Sequence, residues 1–269
     1  MIIESIKFEL KNHIKKNDII KIGYIKEFLQ TIILGQIYSL DYAKDLIFYG
    51  GTSLRFLFGI NRLSEDLDFI GINFLEFDKL GEDLQNYFSN NNIKLNYKIQ
   101  KFRIILNFKD LLKEFGIKYQ NSHDLYIKIE ISDNFNFCKG FKTKLYPIFK
   151  YNQSLIIKSL DKETIFSTKL NAVLYRNWEK QIGANKISVK GRDIYDLFWY
   201  LSNNTKPNIN CIEGIENIGM LKDKLVEIIS KINFKEVILD VENFLEDKNM
   251  LSFMQEYGKE YILEKINEW

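Results

Sequence analysis

The sequence predicts an α+β protein whose first part mixes strands and helices and whose last part is all-α. Three observations carry this. From residue 46 to residue 131 short apolar runs of strand length are interleaved with helical stretches. Beyond Leu160 the apolar residues fall at helical spacing and stay there. The composition, 46% hydrophobic and 28% charged over 269 residues, is that of a globular chain long enough for one large domain or two modest ones. Pro147 and Pro207 are the only prolines, and no Gly/Ser linker or repeat breaks the chain. The change of periodicity therefore sets the boundary: an α/β core over residues 1–158 and a helical part over residues 159–269.

Taken in order, Ile22, Ile25, Leu29, Ile32 and Ile33 mark a buried helix from Ile20 to Ile37. Leu46-Ile47-Phe48-Tyr49 is a short strand ending at Gly50-Gly51, followed by a short helix from Thr52 to Phe58 and a second strand from Leu67 to Ile72. A helix at Asp78–Phe88 precedes β-type runs at Ile93–Ile99, Phe102–Phe108 and Leu125–Ile131; the last alternates apolar and polar residues strictly. Asp161 is placed to cap a helix running through Lys169 to Arg176. Arg192–Leu201 is another helix, and further helices fill Glu213–Trp269.

Several function classes are excluded early. With only His13 and His123, a zinc site or a Ser-His-Asp triad has few candidates, so chemistry falls to carboxylates, lysines and metal. Cys138 and Cys211 form no CxxC and have no histidine at metal spacing; a structural disulfide is open to them but has no motif behind it, and reduced thiols in a cytoplasmic setting are the expectation. No apolar run approaches the roughly 20 residues that span a bilayer, and Glu4, Lys7 and Glu9 interrupt the first ten residues, so neither a membrane nor a secretory route is expected. Lys plus Arg number 38 and Asp plus Glu 36, a balance that neither demands nor excludes a polyanionic partner.

The informative segment is Phe48-Tyr49-Gly50-Gly51-Thr52-Ser53-Leu54 followed by Arg62-Leu63-Ser64-Glu65-Asp66-Leu67-Asp68-Phe69. A strand that ends in two glycines and opens a helix presents free backbone N–H groups to an anion, and the Thr52 and Ser53 hydroxyls can add donors. An ordinary tight turn has the same requirement, so the motif alone decides nothing. Asp66 and Asp68, two apart on a strand, share one face and repel each other unless solvent or a cation intervenes. Magnesium suits carboxylate-plus-phosphate sites. Glu130 lies on the alternate face of its strand with Lys128. It is either a third carboxylate for a two-metal site or the polar face of an amphipathic strand. Lys169 and Arg176, seven apart on one helix, can neutralise phosphate charge. Asp193 and Asp196 share the face of the next helix, beside Arg192.

In this order the stretches, with Lys128-Ile129-Glu130-Ile131, Lys169-Leu170-Asn171-Ala172-Val173-Leu174-Tyr175-Arg176 and Arg192-Asp193-Ile194-Tyr195-Asp196-Leu197, resemble the nucleotidyltransferase AbiEii/AbiGii toxin family, a branch of the DNA polymerase β-like nucleotidyltransferase superfamily. The resemblance orders most of residues 45–201 and leaves the helical tail after about residue 205 without a motif. It implies a polymerase-β-like core, a mixed sheet flanked by helices, with the helical part completing the active site. Gly50, Gly51, Thr52 and Ser53 would hold nucleotide phosphates together with Lys169 and Arg176. Asp66, Asp68 and Glu130 would bind two magnesium ions. Lys169 and Asp193 would join these carboxylates as catalytic residues, with Arg62, Ser64, Arg192 and Asp196 in support. The implied activity is magnesium-dependent transfer of a nucleotide from an NTP, releasing pyrophosphate, to RNA at the tRNA 3′ end. The implied setting is a toxin–antitoxin or abortive-infection system in phage defence, with a cognate antitoxin encoded nearby.

Lys139, Lys142, Lys144, Lys150 and Lys158, interleaved with Phe141, Tyr146, Phe149 and Tyr151, suit a single-stranded RNA or an ordinary solvated surface. Two other readings stay open: transfer to a small molecule or protein, and a non-catalytic RNA- or protein-binding module. The first calls for an acidic pocket when the acceptor is cationic. The second has no use for two like charges held on one face.

Overall fold

A computed structural model of the chain describes residues 1–72, 77–133, 135–138, 140–182 and 185–269. It divides into two compact units. The first comprises Met1–Gly59, Leu63–Asn134 and Lys144–Ser159; the second comprises Ile60–Arg62, Phe135–Thr143 and Leu160–Trp269.

In the first unit, helices α1 (Ile2–Leu10) and α2 (Asp18–Ser39) precede β1 (Leu46–Tyr49), α3 (Gly50–Leu57), β2 (Leu67–Gly71) and α4 (Phe77–Asn90). Strands β3 (Leu95–Gln100), β4 (Arg103–Phe108), β5 (Leu125–Ser132), β6 (Thr143–Lys150) and β7 (Gln153–Leu160) follow. The strands form one mixed sheet in the order β3-β4-β5-β2-β1-β7-β6. β1 runs antiparallel to β2 and parallel to β7, while β2 runs parallel to β5. Strand alternation separates the faces. Phe48, Leu67, Phe69, Ile104, Leu106, Ile127 and Ile129 are buried in a core with Ile25, Leu29 and Ile33 of α2 and Leu80, Leu84 and Phe88 of α4. The intervening residues are left on the opposite face. α2 starts where Asn17 accepts from the Ile20 N–H (2.9 Å).

Two features of this unit were not expected from the sequence. α1 is anchored by the buried Ile2 and Ile6. The β6–β7 hairpin was hidden because its apolar residues do not sort by burial: Ile148 and Ile157 are buried, whereas Leu145, Phe149 and Ile156 point to solvent. Its turn places Tyr151 and Asn152 at φ 50° and 58°, the positive values of a tight two-residue hairpin.

The second unit contains α5 (Lys162–Tyr175), a small hairpin of β8 (Lys180–Ile182) and β9 (Asn185–Ile187), α6 (Gly191–Ser202), α7 (Ile218–Lys231), α8 (Phe234–Val241) and α9 (Lys248–Asn267). Asp161 caps α5 by accepting from the Thr164 N–H at 2.8 Å. The β8–β9 hairpin is the exception to the helical expectation. Gly191 lets α6 begin against α8, because a β-carbon there would overlap the Val237 carbonyl. Cys138 and Cys211 form a disulfide in this unit, correcting the expectation of reduced thiols. A separation of 73 residues gave no local sign of the pairing. The histidines have structural surroundings: His13 stacks on Tyr24, and His123 Nδ1 lies 2.8 Å from the Ile117 carbonyl. Among the described residues no helix is long and apolar enough to cross a membrane.

Candidate active site

In the first unit the chain leaves β1 at Gly50, whose φ of 82° suits glycine and whose missing β-carbon makes room for the Asp68 carboxylate. α3 starts there, so its first-turn N–H groups open beside that carboxylate. Thr52 and Ser53 are fully buried, and their hydroxyls donate to the Asp66 and Gly50 carbonyls respectively. Both hydroxyl protons thus rest on backbone carbonyls, and the turn also opens its first backbone N–H groups to an anion.

Strand register lines up Tyr49, Asp68, Glu130 and Arg103 as successive cross-strand partners on one face of the sheet. Asp66 and Lys128 extend the pattern one row further and lie 3.9 Å apart. Arg103 lies 3.5 Å from the Glu130 carboxylate. Three carboxylates thus share this face with two cations, Lys128 beside Asp66 and Arg103 beside Glu130, and these four side chains are 31–41% exposed. Burial pushes the Asp66 carboxyl above its ordinary range; Lys128 opposes this, and Glu65 and Glu130 add to it. Among the described residues no three acid, histidine or cysteine side chains converge as a ready-made metal cage. The donor chemistry of Asp66 and Asp68 nevertheless fits magnesium, which takes one or two carboxylates and completes its shell with substrate phosphates and water. Glu130 is paired with Arg103, as Asp66 is with Lys128. Ser64 keeps its carbonyl on the Gln30 amide at 3.3 Å.

The second unit collects the remaining residues. Asp196, fully buried on α6, accepts from Arg62 Nε and Nη2 at 2.5 and 2.6 Å and from Lys169 Nζ at 2.9 Å. Burial works against charge on Asp196, and the Arg62 and Lys169 cations overcome it, holding its carboxyl below the usual range. Asp193 Oδ2 accepts from Arg176 Nη1 at 2.5 Å, and its Oδ1 lies 3.6 Å from Lys169 Nζ without a hydrogen bond. Lys169, Arg176, Asp193, Asp196 and Arg62 are therefore brought together. Arg192 turns the other way, toward Asp240 of α8 at 3.6 Å, where Lys180 also arrives at 3.3 Å. Asp240 and Lys180 were missed in the sequence; a lone acid inside the apolar run Val237-Ile238-Leu239-Asp240-Val241 was the available signal.

The lysine-aromatic stretch is dispersed. Lys139 lies outside the described residues. Lys150 and Tyr151 both bind Glu27, at 2.8 and 2.9 Å. Tyr146 packs edge-on against Phe58, and Phe141 against Phe135. Lys142, Lys144 and Phe149 are exposed, and Lys158 is half-buried.

Solved structures share this fold. The nucleotidyltransferase toxin MenT4 from Mycobacterium tuberculosis superposes with a TM-score of 0.58 at 11% identity, covering 96% of this chain and 87% of its own. A Helicobacter pylori protein assigned as a nucleotidyltransferase gives 0.52 at 18% identity, covering 90% and 95%. JHP933 from Helicobacter pylori gives 0.50 at 17% identity, covering 91% and 94%. No curated protein matches the sequence. Residues 32–257 match the family described as nucleotidyl transferase AbiEii toxin, Type IV toxin–antitoxin system, a span that takes in the glycine turn, the strand carboxylates and the ion pairs of α5 and α6. The chain belongs to this family of nucleotidyltransferase toxins.

Proposed function

We propose that the protein is a magnesium-dependent toxin that transfers a nucleotide from an NTP to an RNA 3′ hydroxyl, with tRNA as the acceptor. The observation that carries this reading is the row of Asp68 and Glu130, with Asp66 beside it, next to the backbone donors that open α3. Asp66 and Asp68 would hold magnesium with the NTP phosphates. When bound, the metal neutralises phosphate charge and orients the α-phosphate. The N–H groups around Gly50 and Gly51 bind phosphate oxygens. The acceptor oxygen forms a bond to the α-phosphorus while the bond to the bridging oxygen of the β-phosphate breaks, releasing pyrophosphate. The hydroxyl proton passes to a carboxylate, a role assigned to Glu130. Lys169 and Arg176 are assigned to phosphate charge and Asp193 to orienting them, with Arg192 and Asp196 as supports. The helical unit is thereby proposed to contribute to the same reaction.

The test is incubation of the protein with each α-labelled NTP, magnesium and total bacterial RNA, beside an Asp66→Ala/Asp68→Ala control. Label in a tRNA-sized band, absent from the control, is expected. Label in protein or small molecules instead would replace the acceptor. No label in any fraction, with no NTP binding, would overturn the reading.

A further inference from the structure

We infer that Glu27 is a positioning residue for the nucleotide-binding turn, a role that rests on the transfer reading above and that none of the sequence motifs contains. Glu27 lies on α2 and is 2% exposed, a costly place for a carboxylate. Its Oε2 accepts from Arg55 Nε at 2.7 Å, and its Oε1 accepts from Lys150 Nζ at 2.8 Å and the Tyr151 hydroxyl at 2.9 Å. Replacing such a buried cluster by apolar groups is often neutral or stabilising, so stability alone does not explain it.

What the cluster fixes is α3. Arg55 sits in that eight-residue helix five positions after Gly50, and a helix this short moves as a rigid rod about 12 Å long. Anchoring the guanidinium sets the direction in which the N–H groups of the opening turn point. The same face of α2 also grips the chain leading to Asp66. Gly23, Lys26, Glu27 and Gln30 follow the i, i+3, i+4, i+7 spacing of one helical stripe. Gly23 packs on Leu63, Lys26 pairs with Glu65 at 3.2 Å, and the Gln30 amide donates to the Ser64 carbonyl at 3.3 Å. The Thr52 hydroxyl closes the loop by donating to the Asp66 carbonyl. One stripe thus holds both the phosphate turn and the approach to the metal carboxylates, and Glu27 is its charged point.

The experiment compares the full-length protein with Glu27→Gln, Arg55→Lys and Tyr151→Phe. Each of the four ribonucleoside triphosphates is titrated with magnesium by calorimetry, and circular dichroism and melting temperature report the fold. Glu27→Gln keeps the shape but cannot accept from both cations. Arg55→Lys keeps the charge but loses the guanidinium geometry, and serves if Glu27→Gln fails to fold. Both are expected to weaken binding of the best NTP about tenfold, since small misplacements of a binding group are strongly felt. In turnover the NTP KM should rise while the RNA KM stays put. Tyr151→Phe removes one bond to the same carboxylate and leaves Arg55 anchored, so it should lower the melting temperature without changing NTP affinity. A folded Glu27→Gln or Arg55→Lys protein with wild-type NTP affinity would overturn the inference. So would equal losses in all three variants, which would mark a structural role alone. Absence of NTP binding in the wild type would instead overturn the transfer reading, and this inference with it.

Discussion

The candidate site charges of the two units, the sheet row of the first and the α5–α6 cluster of the second, are held in opposite states. On the sheet of the first, Asp66 and Glu130 meet Lys128 and Arg103 at 3.9 and 3.5 Å, about one-third exposed, and burial pushes the Asp66 carboxyl up. In the second, Asp196 is fully buried, bound by a bidentate arginine and a lysine, and held down. The first arrangement is loosely paired and partly wet, so its carboxylates can exchange a cationic side chain for a metal, and its cations a carboxylate for a phosphate oxygen, at small cost. The second is a closed ionic knot whose members lose several kcal/mol if one is left without the others. Charge removal should therefore cost activity in the sheet row and stability in the α5–α6 cluster.

The largest expected effect is on activity. Asp68→Asn should lower nucleotidyl transfer by at least about 100-fold, as loss of a group aimed at the reacting charge does. Its melting temperature should stay within about 1–2 °C of wild type. Asp66→Asn should behave alike, because the neutral amide replaces a carboxyl whose charged form the fold already disfavours. A large fall in melting temperature for either variant would erase the contrast between the units.

Next comes Asp196. Asp196→Asn leaves Arg62 and Lys169 buried without their counter-charge and should cost about 3–5 kcal/mol. The sign in pH follows from a folded pKa below the unfolded one. The stabilisation is present above the unfolded value of 3.8 and is lost as pH falls through the folded value. Denaturant melts of wild type should thus weaken in acid below pH 3.8, and the difference from Asp196→Asn should shrink there. An Asp196→Asn protein as stable as wild type at pH 7 would show the knot to be dispensable.

The sequence revealed these two regions unequally. Asp66 and Asp68 were legible as a pair because a strand has a period of two, whereas the place of Glu130 beside Asp68 depends on the non-local pairing of β2 with β5. The β1–α3 turn announced itself through adjacent glycines. Lys169 with Arg176 and Asp193 with Asp196 were legible as pairs on helical faces, but not their partners. Nothing local tells that Arg62 would meet Asp196 across 134 positions, or that Arg192 would turn to Asp240. Long-range ion pairs depend on tertiary packing and leave no period. Glu27 was hidden for the same reason, as one of several polar residues along α2. The β6–β7 hairpin was hidden by its wet apolar face, and the Thr52 and Ser53 hydroxyls by local backbone bonds that residue type does not reveal.

The smallest expected effect tests whether the excess of cations in the second unit carries a cost. Lys190, at the start of α6, is pushed down to about 8 by burial; Asp193 opposes the shift, and Arg176, Lys169 and Arg192 reinforce it. A lysine whose folded pKa lies below its unfolded value of 10.5 binds fewer protons folded than unfolded between the two. Its penalty on stability is therefore full below pH 8 and is relieved as pH rises toward 10.5. Lys190→Met keeps the aliphatic stem and removes the charge, so it should raise the melting temperature at pH 7 by about 2–4 °C. The difference from wild type should close as pH is raised through that window, because the wild-type lysine is by then neutral as well. A Lys190→Met curve parallel to wild type from pH 7 to 10.5 would mean that the surrounding acids already balance the cations.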